Sequence, residues 1–183
     1  AVCNADDFYG HAAWAALGRH LRGSAEGALV GYPLAATLSP AGGVSRGICE
    51  LGPGGKLRSV RELTGLVRDG TRVLGRDPSG APRDLPLDTT VSMNLFGLPA
   101  GAPALLGERF AAFLAGHGAD PEAEFYLGEA VNDLVAAGRL ALRVLASGAD
   151  WMGMTFAADR DAVTRRLAAL HSAGAYPATF RLD

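Results

Sequence analysis

Two adjacent carboxylates, Asp6 and Asp7, stand in the stretch Asn4-Ala-Asp-Asp-Phe-Tyr-Gly10, where an apolar segment gives way to a helical one. In open α/β sheets ligands collect where strands end, and a carboxylate pair there could hold Mg²⁺, a hard cation that takes oxygen ligands and bridges to substrate phosphates. The same residues could instead cap a helix, because Asp satisfies the free amides of a helix N-terminus and complements its dipole. In Leu38-Ser-Pro-Ala-Gly-Gly-Val-Ser-Arg-Gly-Ile48, Arg46 presents a fork suited to phosphate or carboxylate among glycines that expose backbone amides; alternatively it is a solvated residue where a loop turns into a strand. Arg61-Glu62 offers a carboxylate that could accept hydrogen bonds from sugar hydroxyls or simply pair with an arginine. Asn94, in the apolar run Val91-Ser-Met-Asn94, carries an amide that needs partners when buried, so it either ties down a neighbouring loop or faces a ligand.

Other chemistry is sparse. His11, His20, His117 and His171 are scattered, and no Ser-His-Asp or Cys-His pairing can be read from their spacing. Cys3 and Cys49 fit neither a disulfide framework nor a zinc site, which needs clustered ligands, and a reducing cytoplasm is the expected compartment. The chain has 183 residues with 17 Lys+Arg against 19 Asp+Glu, a net charge of −2. That balance argues against non-specific nucleic-acid binding and against a polybasic membrane-surface protein. Lys56 is the one lysine; the other sixteen basic residues are arginine. The uncharged stretches 28–45 and 89–107 contain proline, glycines and polar residues, so neither reads as a membrane span. No basic segment followed by an apolar run marks a signal peptide.

The elements that must position these groups alternate between strand and helix. Ala1 to Asn4 reads as the end of a buried strand, and His11 to Arg22 as a helix stopped by Gly23-Ser24. Ala28 to Leu38 reads as a strand; Val44 to Leu51 and Leu57 to Leu63 form a hairpin through Gly52-Pro53-Gly54-Gly55. Val67 to Pro86, charged and broken by Gly, Pro and Asp, reads as a loop. Thr90 to Leu98 is a strand, and Leu105 to Leu114 and Pro121 to Ala137 are helices, the second capped by Asp120 with Pro121 at its first position. Leu140 to Leu145 and Trp151 to Phe156 are strands. Asp159 to Ser172 is a helix with Val163, Leu167 and Leu170 on one face, ended by Gly174. Trp14, Trp151 and the apolar helix stripes are expected in the core. The mixture gives an α/β class over one domain, residues 1–183, and the hairpin implies a sheet that is not purely parallel.

Seven segments together resemble a known family. Asn4-Ala-Asp-Asp-Phe-Tyr-Gly10, Val44-Ser-Arg-Gly-Ile-Cys49, Val91-Ser-Met-Asn-Leu-Phe-Gly97, Glu124-Phe-Tyr-Leu127, Trp151-Met-Gly-Met-Thr155, Asp159 to Leu167 and Ala173-Gly-Ala-Tyr-Pro177 occur in the order and rough spacing of the sugar-phosphate nucleotidyltransferases. In particular they resemble a bacterial branch of nucleotidyltransferases or NDP-sugar pyrophosphorylases. The resemblance implies a Rossmann-like, GT-A-like three-layer fold with a mixed sheet. It also implies a reaction in which a nucleoside triphosphate and a sugar 1-phosphate give a nucleotide-sugar and pyrophosphate with Mg²⁺. Carried over by motif, Asp6 is the main Mg²⁺ ligand and Asp7 stands beside it as the second catalytic carboxylate. Glu62 and Asn94 belong to the sugar site, which Asn4 and Arg46 join as substrate-binding residues.

The departures are equally specific. The Gly-x-Gly-Thr-Arg loop, Pro-Lys pair and Gln-x-x-Gly-Thr element of such enzymes have no counterpart, so the chain corresponds to the C-terminal, sugar-binding portion and is expected to be N-terminally truncated and inactive alone. Where relatives carry a lysine after the hairpin glutamate, this chain has Leu63, Thr64 and Gly65, and Lys56 in the hairpin turn is a poor substitute. Gly153 stands where a metal-binding aspartate is usual, leaving Asp159 or Asp150 to stand in. Two other readings follow: a non-catalytic relative that binds a sugar nucleotide as a sensor or partner subunit, and a truncated fragment without activity. In the latter, an exposed sheet edge at Val2 leads to self-association of like chains.

Overall fold

The computed structural model describes residues 1–176; of the closing motif, Pro177 lies outside the described residues. Seven strands form one mixed sheet in the order β5-β4-β3-β2-β6-β1-β7, with four α-helices around it. The strands are β1 (Gly27–Pro33), β2 (Val44–Leu51), β3 (Leu57–Asp69), β4 (Arg72–Arg76), β5 (Pro82–Pro86), β6 (Thr90–Gly97) and β7 (Leu142–Ala146). The helices are α1 (His11–Gly23), α2 (Ala102–His117), α3 (Leu127–Ala136) and α4 (Asp159–Ser172). β1 and β7 run parallel and every other neighbouring pair is antiparallel.

The sheet is covered on both faces, and alternation along β1 and β6 shows how. Ala28, Val30 and Tyr32 of β1, with Val91, Met93 and Leu95 of β6, pack on the face that receives Ala13 and Leu17 of α1. Leu29 and Phe96 point the other way, into a second cluster with Val131 and Leu134 of α3 and Ala102 of α2. Because both faces are buried, β1 reads as the unbroken apolar run Gly-Ala-Leu-Val rather than as an alternating one. The hairpin β2–β3 forms as its glycine-rich turn requires. Its tip folds against the outer edge of β7 through a bridge between Lys56 and Arg143, which covers part of that edge of the sheet.

Several expectations are corrected. The stretch 67–86 is not a loop: β3 continues to Asp69 and returns through β4 and β5. Gly70 turns the chain at a φ of 56°, a conformation glycine takes without Cβ strain. Asp77 then organises the next turn, accepting from the Ser79 amide (3.0 Å), the Ala81 amide (3.1 Å) and Arg83 Nη2 (2.5 Å). The helix placed at Pro121 begins only at Leu127. Asp120 caps a turn at Glu122 N instead (3.0 Å), and the chain stays open so that Phe125 reaches Phe110 and Phe113 at 5.2 and 5.5 Å between ring centroids. The strand ends at Pro33 rather than Leu38, passing into a 3-10 turn at Leu34–Thr37. Ala1 to Asn4 and Trp151 to Phe156 are single bridges, Val2 to Phe96 and Met152 to Phe8, not strands, and Val2 is exposed rather than buried. Trp14 is 40% exposed and makes an edge contact with Tyr9. The apolar stripes extend past what the sheet covers, so Phe110, Leu114 and Leu167 also face solvent.

The two thiols differ sharply. Cys3 is exposed, whereas Cys49 is buried between β2 and the α3 side, and burial pushes its thiol up to about 12. Because the thiolate is the reactive form, a thiol reagent at neutral pH is expected to modify one cysteine in the native protein and the second only on unfolding. Two equally fast thiols in the native state would mean that the α3 face opens freely.

Candidate functional site

Asp6 and Asp7 do not cap α1. Its N-cap position is Gly10, with no side-chain cap. Asp6 is exposed, while Asp7 is half-buried and engaged in a local network. Asn4 Nδ2 donates to Asp7 Oδ2 at 2.9 Å, and Asn94 Nδ2 donates to Asn4 Oδ1 at 3.4 Å. The Asn4 amide donates to the Tyr9 hydroxyl (3.0 Å), which donates in turn to the Met93 carbonyl (2.7 Å). Its single hydrogen is thereby committed, so the 3.3 Å approach of Tyr9 Oη to Asp7 Oδ2 is the longer alternative. Burial, more than the nearby Asp7 charge, raises the Tyr9 phenol above its ordinary range, and it stays neutral.

Asn94 sits where β6 bulges. From Leu29 to Gly31 β1 advances two residues, while β6 runs from Phe96 back to Ser92, four residues. The excess is absorbed around Asn94, whose φ of 61° is the one positive value at a non-glycine residue among those described. Such a backbone costs of the order of 1–3 kcal/mol and persists only where the surroundings hold it. Here the Asn94 amide donates to Ser92 Oγ at 3.1 Å and its side chain reaches Asn4.

Arg46 is 8% exposed. Nε and Nη2 donate to the Thr37 carbonyl at 3.1 and 2.5 Å, Nη1 donates to the Ser45 carbonyl at 2.7 Å, and the guanidinium lies 5.0 Å from the centroid of the Trp151 ring. Burial lowers its pKa from the ordinary value, and the negative charges of Asp7, Asp159 and Glu62 oppose that shift. An arginine so placed remains a cation. It is neither a free phosphate fork nor a solvated loop residue, but a fixed positive charge inside an acidic surround.

Asn4, Arg46, Glu62 and Asn94, drawn from the N-terminal segment and from β2, β3 and β6, line one cavity of about 240 Å³. Tyr126, Gly128 and Glu129 close it at the start of α3. Residue type and spacing alone do not mark these three for chemistry. A signal existed, since Tyr126 lies in Glu124-Phe-Tyr-Leu127. Its phenol is held above the usual range, first by a hydrogen bond to Glu124 and then by the charges of Glu124, Glu62 and Glu129.

Asp159 is placed differently. It is buried at the start of α4, accepting from Ser39 Oγ (2.7 Å) and from the Phe156 and Thr155 amides (2.9 and 3.2 Å), bonds that hold its carboxyl below the usual range. Both oxygens are thus engaged in clasping the 39 and 155–156 loops. Asp150 pairs with Arg166. Among the described residues no three of His, Cys, Asp and Glu converge as a metal-holding group. The bridge from Phe8 to Met152 sets Gly153 against Asp7, where a Cβ would lie 2.6 Å from Asp7 Oδ1 and 2.3 Å from Trp151 Cζ2. No side chain fits there unless Trp151 moves. Gly153→Ala is therefore expected to lower stability by about 1–3 kcal/mol, the usual cost of overpacking. An unchanged midpoint in denaturant would show Trp151 to be freely displaceable.

Fold and site together define a mixed α/β protein with a small polar cavity at the β6 bulge. Compared with known protein families and with curated protein sequences, the chain matches none. Among the described residues no helix is long and apolar enough to cross a membrane.

Proposed function

We propose that the chain is the sugar-binding portion of a sugar-1-phosphate nucleotidyltransferase, built on a Rossmann-like, GT-A-like sheet. The observation that carries this reading is the convergence of Asn4, Arg46, Glu62 and Asn94, spread over 90 positions of sequence, on one cavity. Its volume of about 240 Å³ lies below the ~300–1,000 Å³ of sites for drug-sized ligands, in keeping with one small polar group. Glu62 accepts from sugar hydroxyls, Asn94 and Asn4 supply amides, and Arg46 offsets the phosphate charge. In the reaction, an oxygen of the sugar phosphate bonds to the α-phosphorus of the triphosphate while the bond to the pyrophosphate leaving group breaks.

Asp6 and Asp7 suit a hard cation that keeps phosphate and water among its ligands. Asp7 Oδ1 faces Gly153, with no hydrogen bond to Oδ1 among the described residues, and Asp6 is open to solvent. Mg²⁺ held there would stabilise charge on the transferring phosphoryl group. The chain's own part is positional: Asn4 fixes Asp7, and the Asn4–Asn94 contact fixes the carboxylate relative to the sugar cavity.

Gly153 favours a second reading. It puts no carboxylate opposite Asp7, and Leu63 turns into the core where a lysine is usual; both suit a non-catalytic relative that binds a sugar nucleotide. Calorimetric titration with hexose 1-phosphates and nucleotide-sugars in Mg²⁺, beside a pyrophosphate-release assay with nucleoside triphosphates, decides between them. Because the portion is expected to be inactive alone, the release assay is made on a protein that also carries the triphosphate-binding elements. Binding with release there supports the transferase, and nucleotide-sugar binding without release there the second reading. No binding of either ligand would sink both.

A further inference from the structure

The inner cavity does not stand alone. A larger groove of about 850 Å³ lies over β2 and β3, between α3 and the β4–β5 turn. Val60, Glu62 and Glu129 line both spaces, so the two adjoin at these residues. The inner space is too small for a ligand longer than one ring-sized group, whereas the groove is more than three times larger. The shape of the groove is held by packed structure. Asn132 of α3 accepts from the Val60 amide at 3.0 Å, and Asp77, anchored by Ser79, Ala81 and Arg83, fixes the far rim.

We infer that the substrate is a sugar phosphate bearing a second, polar, non-anionic unit of about pyranose size, the first ring seated in the inner cavity and the second in the groove. The inference rests on the sugar-binding reading above and names its substrate class. Charge sets the chemistry of the second unit. Arg83 is paired with Asp77, and Asp133 with Arg109. Glu50 pairs loosely with Arg58, and Glu62 and Glu129 then stand against Arg61 in the same groove. The balance is negative, so a phosphate or carboxylate on the second ring meets repulsion, while hydroxyls or an amine find acceptors.

The test compares calorimetric binding of glucose 1-phosphate with that of maltose 1-phosphate, in the wild-type chain and in Ser59→Tyr. Ser59 lines the groove but not the inner cavity, and tyrosine suits its strand position. The disaccharide phosphate is expected to bind wild-type about ten-fold more tightly, a difference of about 1.4 kcal/mol. Ser59→Tyr is expected to erase that advantage and leave glucose 1-phosphate unchanged. Equal or weaker binding of the disaccharide phosphate by the wild-type chain overturns the inference and leaves the sugar-binding reading standing. An advantage that survives in a Ser59→Tyr chain with a cooperative unfolding transition places the second ring outside the groove and also overturns it. Failure of both ligands to bind overturns the sugar-binding reading itself, and this inference with it.

Discussion

Arg46→Ala is expected to lower the free energy of unfolding by about 3 kcal/mol. The side chain makes three hydrogen bonds to backbone carbonyls and covers the face of Trp151. Hydrogen bonds to a charged group contribute about 1.5–3 kcal/mol each, and a buried acceptor left without its donor costs about 1–3 kcal/mol. Thr37 is fully buried and its carbonyl accepts two of the three bonds, so truncation leaves an acceptor that water cannot easily reach. Removing the cation also leaves the negative charges of Asp7, Asp159 and Glu62 without their common counter-charge. Arg46→Lys is expected to recover less than half of the loss, because an ammonium cannot bond two carbonyls as a planar fork while lying flat on an indole. Urea unfolding of the three proteins checks this; a loss below about 1 kcal/mol for the alanine variant would mean that the Thr37 carbonyl finds water or another donor once the guanidinium is gone. Binding of hexose 1-phosphate is expected to weaken in both variants, since Arg46 lines the cavity as well as holding the Thr37 loop.

What could be read from the sequence divides along a physical line. Elements whose signal is local came through: the apolar run of β1, the glycine-turned hairpin β2–β3, and the helical spans of α1 and α4, though not the buried face expected of α4. β4 and β5 did not, because each sends only one apolar side chain inward, Val73 and Leu85, and the rest is held by pairing. Arg72 on β4 bonds Asp84 on β5 at 2.6 Å, and most residues of both strands face solvent, so no alternation was there to see. Asp69-Gly70 was a usable hairpin signal inside that stretch. Trp14 was expected in the core on its helical spacing, but the stripe of α1 is wider than the surface that receives it. The start of α3 was misplaced for a tertiary reason: Phe125 gains more from packing on Phe110 and Phe113 than residues 121–126 gain from a further helical turn.

The candidate site shows the same division. Asn4, Arg46, Glu62 and Asn94 were each visible as polar residues in unusual settings, but nothing local could show that a two-residue excess in β6 would swing Asn94 toward Asn4. Nor could spacing show that Arg46 is consumed by carbonyls of its own loop, or that both Asp159 oxygens are taken up by Ser39 and two amides. These outcomes depend on where long-range pairing puts a backbone, and side-chain type alone does not encode that.

The neighbouring carboxylates allow a separation of chemistry from structure. Asp6→Asn is expected to leave the unfolding midpoint unchanged, since Asp6 is exposed and surface substitutions away from special features stay within about 0.5 kcal/mol. In a protein competent for pyrophosphate release, the same change is expected to lower turnover by a hundred-fold or more. A carboxylate that helps hold a catalytic cation contributes several kcal/mol of charge stabilisation, and each ~1.4 kcal/mol is ten-fold in rate. Asp7→Asn is expected to behave differently. It removes charge beside Arg46 and replaces the acceptor of the Asn4 amide, so stability and turnover should fall together. Steady-state assays over a range of Mg²⁺ concentrations, paired with urea unfolding of each variant, give both quantities. Full activity in Asp6→Asn would remove Asp6 from the chemistry and leave Asp7 to hold the cation. A fall in activity that excess Mg²⁺ restores would instead identify Asp6 as a ligand whose loss weakens the affinity for the cation more than it slows the chemical step.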